Sequence, residues 1–484
     1  MPRWCSLYFI TMTRRSLEIG LWRIAWVWFL SAAIIAAGCG THIPSILPSV
    51  TPPAEDEEVR ISREFRREAK KHFKFVTHPE VEQYIDRIGR RILSAMGPQP
   101  FDYRFFVVND SQLNAFAVPG GSIYFYTGLI EKAKSTSEIA GVMGHEIVHV
   151  KGRHMARSSG PDGVSLLGLV GMLLLAKSGA GAQAAGAVSQ AIAATRQIAY
   201  SRQLEMEADT LGARYIASAG FDPNGSLEFL KTLDEDRTLN PIDVPAYMLT
   251  HPVTKERVAN VELVIRNLGQ FPHSTNGPDP LRKVQAIIKF EHSQANEVIS
   301  EYQKNVARNP QDAEALHLLA FAQHLGGQLI EAQKNYEKAK AINPDNASLQ
   351  RDCGKLYTEL GDMPRARAAF ERAISLEPNA ALTYLYLGEL FEKQGDLRSA
   401  AGAYINARNL SPQWEKPPAR LGTVYGKLNR LGDAYYYLAK SHLLEDEDEQ
   451  AIAYLEKSLK ALGSDSPRAE LVKQELNALK ARKR

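Results

Sequence analysis

Ser135-Thr136-Ser137-Glu138-Ile139-Ala140-Gly141-Val142-Met143-Gly144-His145-Glu146-Ile147-Val148-His149-Val150 decides how the middle of this chain is read. Ser135, Thr136 and Ser137 offer N-caps, and Ile139, Val142, Met143, Ile147 and Val150 recur at helical spacing, so the stretch predicts a helix. His145 and His149 are four apart and share one face, a turn from each other. On that face both imidazoles can hold one zinc ion, and Glu146 beside them can take a proton from a water.

Three protein ligands with one open position is the pattern of a catalytic zinc site, so a third donor is required elsewhere. Glu205-Met206-Glu207-Ala208-Asp209-Thr210-Leu211-Gly212 reads as a second helix that runs on to Gly220. Glu205 and Asp209 fall on one face, where one can bind metal while the other accepts a hydrogen bond from a ligating histidine. Glu207 points elsewhere and reads as a solvated charge.

Further along, proline returns at 310, 344, 378 and 412, a step of 34 residues. Ala332, Ala366, Ala400 and Ala434 keep that step, as do Tyr336, Phe370, Tyr404 and Leu438, and Ala320, Gly354, Gly388 and Gly422. A 34-residue period with these classes of residue is that of helical hairpins stacked as tetratricopeptide repeats. Full units start near 313, 347 and 381. After 414 the register is ambiguous, because Gly432, Leu438, Ala451 and Leu455 also fit a unit shifted by half a repeat. The Lys-rich end, 473–484, reads as a solvated capping helix. Such an array offers a surface for protein partners.

The other end reads as an address. Arg14 and Arg15 precede an apolar run, Ala25–Ala37, closed by Ala36-Ala37-Gly38-Cys39, which is the shape of a secretory signal. The run is too short for a comfortable membrane span, which takes ~20 apolar residues. A cysteine directly after small residues resembles the lipobox of bacterial lipoproteins, which implies acylation of Cys39; an ordinary signal or an N-terminal anchor is the other reading. By the sorting rule of such lipoproteins, Gly40 favours the outer membrane. Residues 39–54, with Pro44, Pro48, Pro52 and Pro53, make a stiff tether.

The whole chain has 484 residues and a formal charge of +3. Residues 1–38 alone carry +3, from Arg3, Arg14, Arg15 and Arg23 against Glu18, so the rest is balanced and nothing points to nucleic acid. Three cysteines, Cys5, Cys39 and Cys353, exclude a disulfide scaffold.

Taken together, H-E-x-x-H followed by E-x-x-A-D resembles the gluzincin metallopeptidases of the HtpX, BepA and CaaX-prenyl-protease type. Asn114–Gly121 with Ile123–Thr127 resembles their strand and turn before the zinc helix, His149–His154 the end of that helix, and Thr250-His251-Pro252 with Arg257 their closing H-P motif. The resemblance covers roughly 55–265, and the repeats after it match the arrangement of the BepA-like periplasmic branch. It implies that His145, His149 and Glu205 bind one zinc ion, that Glu146 is the general base and that Asp209 orients a ligand. His251 lies at the mouth of the site, either donating to an oxyanion or occupying the open metal position in a resting form. His154 is a structural partner of the helix.

The expected fold is therefore mainly α with a small β-sheet, a zincin-like α+β protease domain, followed by an all-α tetratricopeptide solenoid. The expected boundaries are 1–38 signal peptide, 39–54 tether, 55–265 protease, 266–283 linker and 284–484 repeats. Phe105–Val108 or Ile123–Tyr126 offers an edge for an extended substrate, or is sheet core. Val164–Ala176 and Ser178–Ala194 read as a helical lid rather than a membrane-inserting hairpin. The expected function is a lipid-anchored periplasmic zinc endopeptidase for unfolded or misassembled envelope proteins. Its repeats would dock clients or the outer-membrane assembly machinery. The rival is a non-proteolytic chaperone or scaffold with a vestigial metal site.

Overall fold

The computed structural model describes residues 55–158, 201–239, 245–269, 279–463 and 466–483. The signal segment, Cys39, the tether, the candidate lid and residues 270–278 of the linker lie outside the described residues.

Helix α1 (Glu55–His72) opens on four acids and ends on Lys70, Lys71 and His72, which complements the helix dipole at both ends. Helix α2 (Pro79–Ala95) starts with proline in its first turn, and the His78 ring accepts the Glu80 N–H. Three strands follow: β1 (Arg104–Val108), β2 (Ala115–Val118) and β3 (Ser122–Tyr126), in the order β1-β3-β2. β1 runs parallel to β3, whereas β2 pairs antiparallel with it.

Alternation along the strands splits the apolar residues between two cores. Phe116, Val118, Tyr124 and Tyr126 pack under α1 with Ile61, Phe65 and Ala69. Ala115, Ala117, Ile123 and Phe125 face the main core. Of the two strands offered as a substrate edge, Ile123–Tyr126 is the central one and has no free edge. β1 is an edge strand, covered at its far end where Val76 N–H donates to Val107 O at 2.9 Å.

After the short α3 (Thr127–Lys132) comes the histidine helix α4 (Thr136–Lys151), then α5 (His154–Ser158), α6 (Arg202–Ser218), α7 (Asn224–Leu239), α8 (Ala246–Thr250) and α9 (Lys255–Leu268). Every residue of α4 from Glu138 to Val150 is buried, so it is a helix enclosed on all sides. α6 crosses it backbone to backbone. A Cβ on Gly144 would meet Ile216 at 2.7 Å, and one on Gly212 would meet the Gly144 carbonyl carbon at 3.1 Å. That close crossing lies beside His145, and it sets how near Glu205 and Asp209 come.

Among the described residues, twelve further helices follow. α10 (Pro280–His292) and α11 (Ala295–Arg308) lead into hairpins α12/α13 (Ala313–Leu325, Leu329–Ile342), α14/α15 (Ala347–Leu360, Met363–Leu376) and α16/α17 (Ala381–Lys393, Leu397–Leu410). Then come α18 (Lys416–Lys427), α19 (Leu431–Leu444), α20 (Asp448–Leu462) and α21 (Pro467–Lys483). Gly354 lies against Phe370, Gly388 against Tyr404 and Gly422 against Leu438, so the first phase continues past residue 414. Gly432 lies against Leu462, so the shifted phase exists too. Both registers hold because α19 packs tightly on each neighbour. The last helix is less solvated than its lysines imply: Ala469, Val472, Leu476 and Leu479 are buried.

The repeats bear directly on the first domain. Glu80 on α2 meets Lys283 Nζ at 3.1 Å and Arg351 Nη2 at 3.3 Å, and Lys283 also holds Asp352 at 2.7 Å. Glu82 accepts from the Trp414 indole at 3.1 Å and pairs with Lys416 at 2.8 Å. Arg66 grips Asp446 through two bonds, of 2.6 and 2.7 Å. Among the described residues no helix is long and apolar enough to cross a membrane.

Candidate metal centre

His145 and His149 project from α4 with their Nε2 atoms 2.9 Å apart. From α6, Glu205 brings Oε1 to 3.3 Å from His149 Nε2 and Oε2 to 3.5 Å from His145 Nε2. His251, which ends α8, brings Nδ1 to 2.9 Å from Glu205 Oε1 and 3.3 Å from His145 Nε2. All four side chains are buried, and their donor atoms lie within 4.8 Å of one another.

Proton positions decide what this cluster wants. Asp209 Oδ1 accepts from His145 Nδ1 at 3.0 Å, and a carboxylate only accepts, so His145 Nδ1 carries the proton and Nε2 presents its lone pair inward. That lone pair faces another imidazole nitrogen and two carboxylate oxygens. Converging lone pairs repel unless a cation sits among them. Ligand atoms on a tetrahedral zinc ion with bonds of ~2.0–2.1 Å stand about 3.3 Å apart, close to the separations seen here.

The charge balance agrees. Glu146, Glu205 and Asp209 are buried carboxylates with one buried guanidinium, Arg257, between the last two. Arg257 donates to both Asp209 oxygens at 2.7 and 2.8 Å and pairs with Glu205 Oε2 at 2.6 Å. Among the described residues, and with the histidines neutral, three acids against one arginine leave two negative charges, the complement of a divalent cation. Both Glu146 oxygens are buried without a hydrogen-bond partner among the described residues, and the nearest basic atom is His251 Nε2 at 3.5 Å.

Burial raises the Glu205 carboxyl, but the His251 and Arg257 charges outweigh it and hold it well below the usual range. Asp209 behaves alike: burial raises it and Arg257 brings it down. Burial, then the neighbouring His145, pushes His149 well down, which keeps it neutral and able to ligate. His251 is opposite. Burial lowers it, yet Glu205 and Glu146 outweigh that and raise it, so in the protein alone a proton competes with metal there.

Around the cage, His154 Nδ1 lies 3.0 Å from His149 Nδ1, behind the ring. Glu207 is part exposed and stands 3.6 Å from His154 and 3.8 Å from Arg157. Two residues were not assigned a role from sequence. Arg257 joins the carboxylates of Glu205 and Asp209. Tyr247 stacks on His251 with ring centroids 4.6 Å apart. The only sequence sign of Tyr247 is an aromatic ring one helical turn before the histidine. Cys39 lies outside the described residues.

The fold joins a domain with a buried candidate metal cage to a helical repeat array. Residues 79–264 match peptidase family M48, and 313–346, 354–395 and 433–461 match tetratricopeptide repeat families. A region similar to family M48 is thus followed by regions similar to tetratricopeptide repeats. It is 34% identical over 212 residues to the putative beta-barrel assembly-enhancing protease of Vibrio cholerae, covering 42% of this chain and 43% of that protein. To the beta-barrel assembly-enhancing protease of Escherichia coli K12 it is 33% identical over 214 residues, with the same coverage. The mitochondrial metalloendopeptidase OMA1 of Schizosaccharomyces pombe is 26% identical over 182 residues, 37% of this chain and 51% of that one. The match thus spans less than half the length of the first two relatives. Among solved structures, that of MamA covers 34% of this chain and 96% of its own at 22% identity, with a TM-score of 0.31.

Proposed function

We propose that this protein is a zinc-dependent endopeptidase in which His145, His149 and Glu205 hold the metal and Glu146 is the general base. The observation that carries the reading is the cage itself: inward lone pairs, two uncompensated negative charges and an unpartnered buried carboxylate beside them. Zinc bound there supplies Lewis acidity toward a scissile carbonyl and a water. Glu146 takes a proton from that water and later gives it to the leaving amine. Asp209, accepting from His145 Nδ1, fixes that ring's tautomer, and Arg257 keeps Asp209 and Glu205 charged and in place.

His251 is read as a resting-state ligand. With Nδ1 turned to the cage it completes four protein donors, the closed pattern of a structural site, whereas catalysis needs one position open. Its Nε2 then carries the proton and faces Glu146. Withdrawal of His251 frees both the fourth position and the base.

The substrate reading rests on the relatives. Two of them are named for enhancing beta-barrel assembly, which supports unfolded or misassembled envelope proteins as substrates, with the repeats as the docking element. Boundaries near 55–265 and 284–484, export, a lipid anchor on Cys39 and placement at the outer membrane belong to the same proposal. Glu146→Gln tests the chemistry: the variant should retain zinc and lose at least about a hundred-fold in cleavage of an unfolded protein. Equal cleavage by both proteins would sink the enzyme reading. Cys39→Ser should shift the protein from the membrane to the soluble fraction.

A further inference from the structure

The turn that ends the histidine helix is built around one side chain. α4 stops at Gly152, Arg153 takes a φ of 52°, and α5 starts at His154. Left-handed backbone is costly for a residue that carries a Cβ. An ion pair with buried Glu58 of α1 holds it: Arg153 Nη2 lies 2.6 Å and Nε 2.7 Å from Glu58 Oε1. The reversal folds the His154 ring back beneath α4. A Cβ on residue 152 would overlap that ring, so only glycine leaves room for it. His154 ends fully buried, its ring perpendicular to that of His149 with centroids 4.8 Å apart and Nδ1 3.0 Å from His149 Nδ1.

His149 turns Nε2 to the cage, 2.9 Å from His145 Nε2, so as a neutral ligand it carries its proton on Nδ1. Two protonated nitrogens cannot share a hydrogen bond. His154 Nδ1 is therefore the acceptor, and the His154 proton sits on Nε2. That N–H faces Glu207, whose Oε2 is 3.6 Å away, and an anion there makes Nδ1 a better acceptor. We propose that His154 is a positioning residue for the metal centre, fixing the tautomer and ring plane of His149 as Asp209 fixes those of His145. The inference rests on the reading of the cage as a zinc site. The two ligands then differ: a carboxylate backs His145 and a neutral ring backs His149, which makes His149 the weaker donor to metal.

The test is the zinc affinity of the full chain, read by competition with a fluorescent chelator, in His154→Phe and His154→Asn. Phenylalanine keeps a ring behind His149 and removes the acceptor. Asparagine is smaller but puts Oδ1 two bonds from Cβ, where histidine has Nδ1. His154→Phe should weaken zinc binding by about ten-fold or more, and His154→Asn should bind at least about five-fold more tightly than His154→Phe. A role in packing alone predicts the reverse order, because the smaller side chain leaves a void. Thermal melting of the metal-free proteins checks that each variant is folded, and His154→Leu replaces His154→Phe if that one is not. Zinc held equally by wild type and His154→Phe overturns the proposal, and so does His154→Asn binding no tighter than His154→Phe. If the wild type itself holds no zinc, the metal-site reading falls first; if it holds zinc and the variants fail to separate, only the assignment of His154 falls.

Discussion

Around Glu80, charged groups from α2, α10 and α14 meet in the interior; around Glu205, charged groups from α4, α6, α8 and α9 do the same. At the first junction Glu80 and Asp352 are answered by Lys283 and Arg351, and His317 gives Asp352 a further bond at 2.7 Å. The formal charges there cancel. At the second, lone pairs converge and two negative charges remain. Buried charge that closes on itself holds parts of a protein together, whereas buried charge left incomplete marks where something else must bind.

The sharpest way to break this contrast is to remove one member from each cluster. Glu205→Ala should abolish metal retention and reduce proteolysis by at least about a hundred-fold, read by metal content and turnover. Lys283→Met should leave Glu80 and Asp352 buried without that cation and cost about 3–5 kcal/mol in denaturant unfolding. It should leave zinc per folded chain unchanged. If Lys283→Met strips the metal, or Glu205→Ala leaves it bound, the division between the two clusters is wrong.

A finer test concerns the fourth donor. His251→Ala should open the cage and speed zinc loss to a chelator by about ten-fold or more, while leaving the three remaining ligands to bind. Unchanged zinc release would remove His251 from the metal and return it to an oxyanion role.

The smallest effect is one of pH at the junction. Burial raises the Glu80 carboxyl, but the Arg351 and Lys283 charges bring it to about 2. As a depressed acid it stabilises the junction fully above the ordinary carboxylate range and loses that contribution as pH falls toward 2. Glu82, one turn-edge away, is pushed up to about 7 by burial and Glu415 against Lys416. A raised acid has the opposite sign: its contribution is present at low pH and is lost as pH rises through 7. Amide exchange in α2 should therefore be slowest near about pH 5, after correction for intrinsic exchange, and faster on both sides. A monotonic trend across that range would contradict the pairing.

What the sequence made legible follows from the range over which each feature acts. The helix Thr136–Lys151 and the repeats starting at 313, 347 and 381 are local periodicities, read directly from spacing. Glu205 and Asp209 stand out in the sequence because they lie one turn apart on a helix that follows a histidine pair in need of a third ligand. The ambiguity after 414 has a physical source, since α19 offers Gly432 to one neighbour and Leu438 to the other. The link from Asp209 through Arg257 to Glu205, the stacking of Tyr247 on His251 and the Glu80–Lys283–Asp352 junction were not legible. Each joins residues whose meeting depends on the tertiary path, and a lone lysine such as Lys283 carries no spacing signal.

Zinc K-edge absorption on the purified full chain, with zinc counted per molecule, addresses the cage most directly. One zinc per chain with a first shell of imidazole nitrogens and a carboxylate oxygen, losing nitrogen in His251→Ala and lost altogether in Glu205→Ala, is the expected result. A chain that retains no divalent metal after dialysis, or a shell unaffected by either substitution, would contradict it.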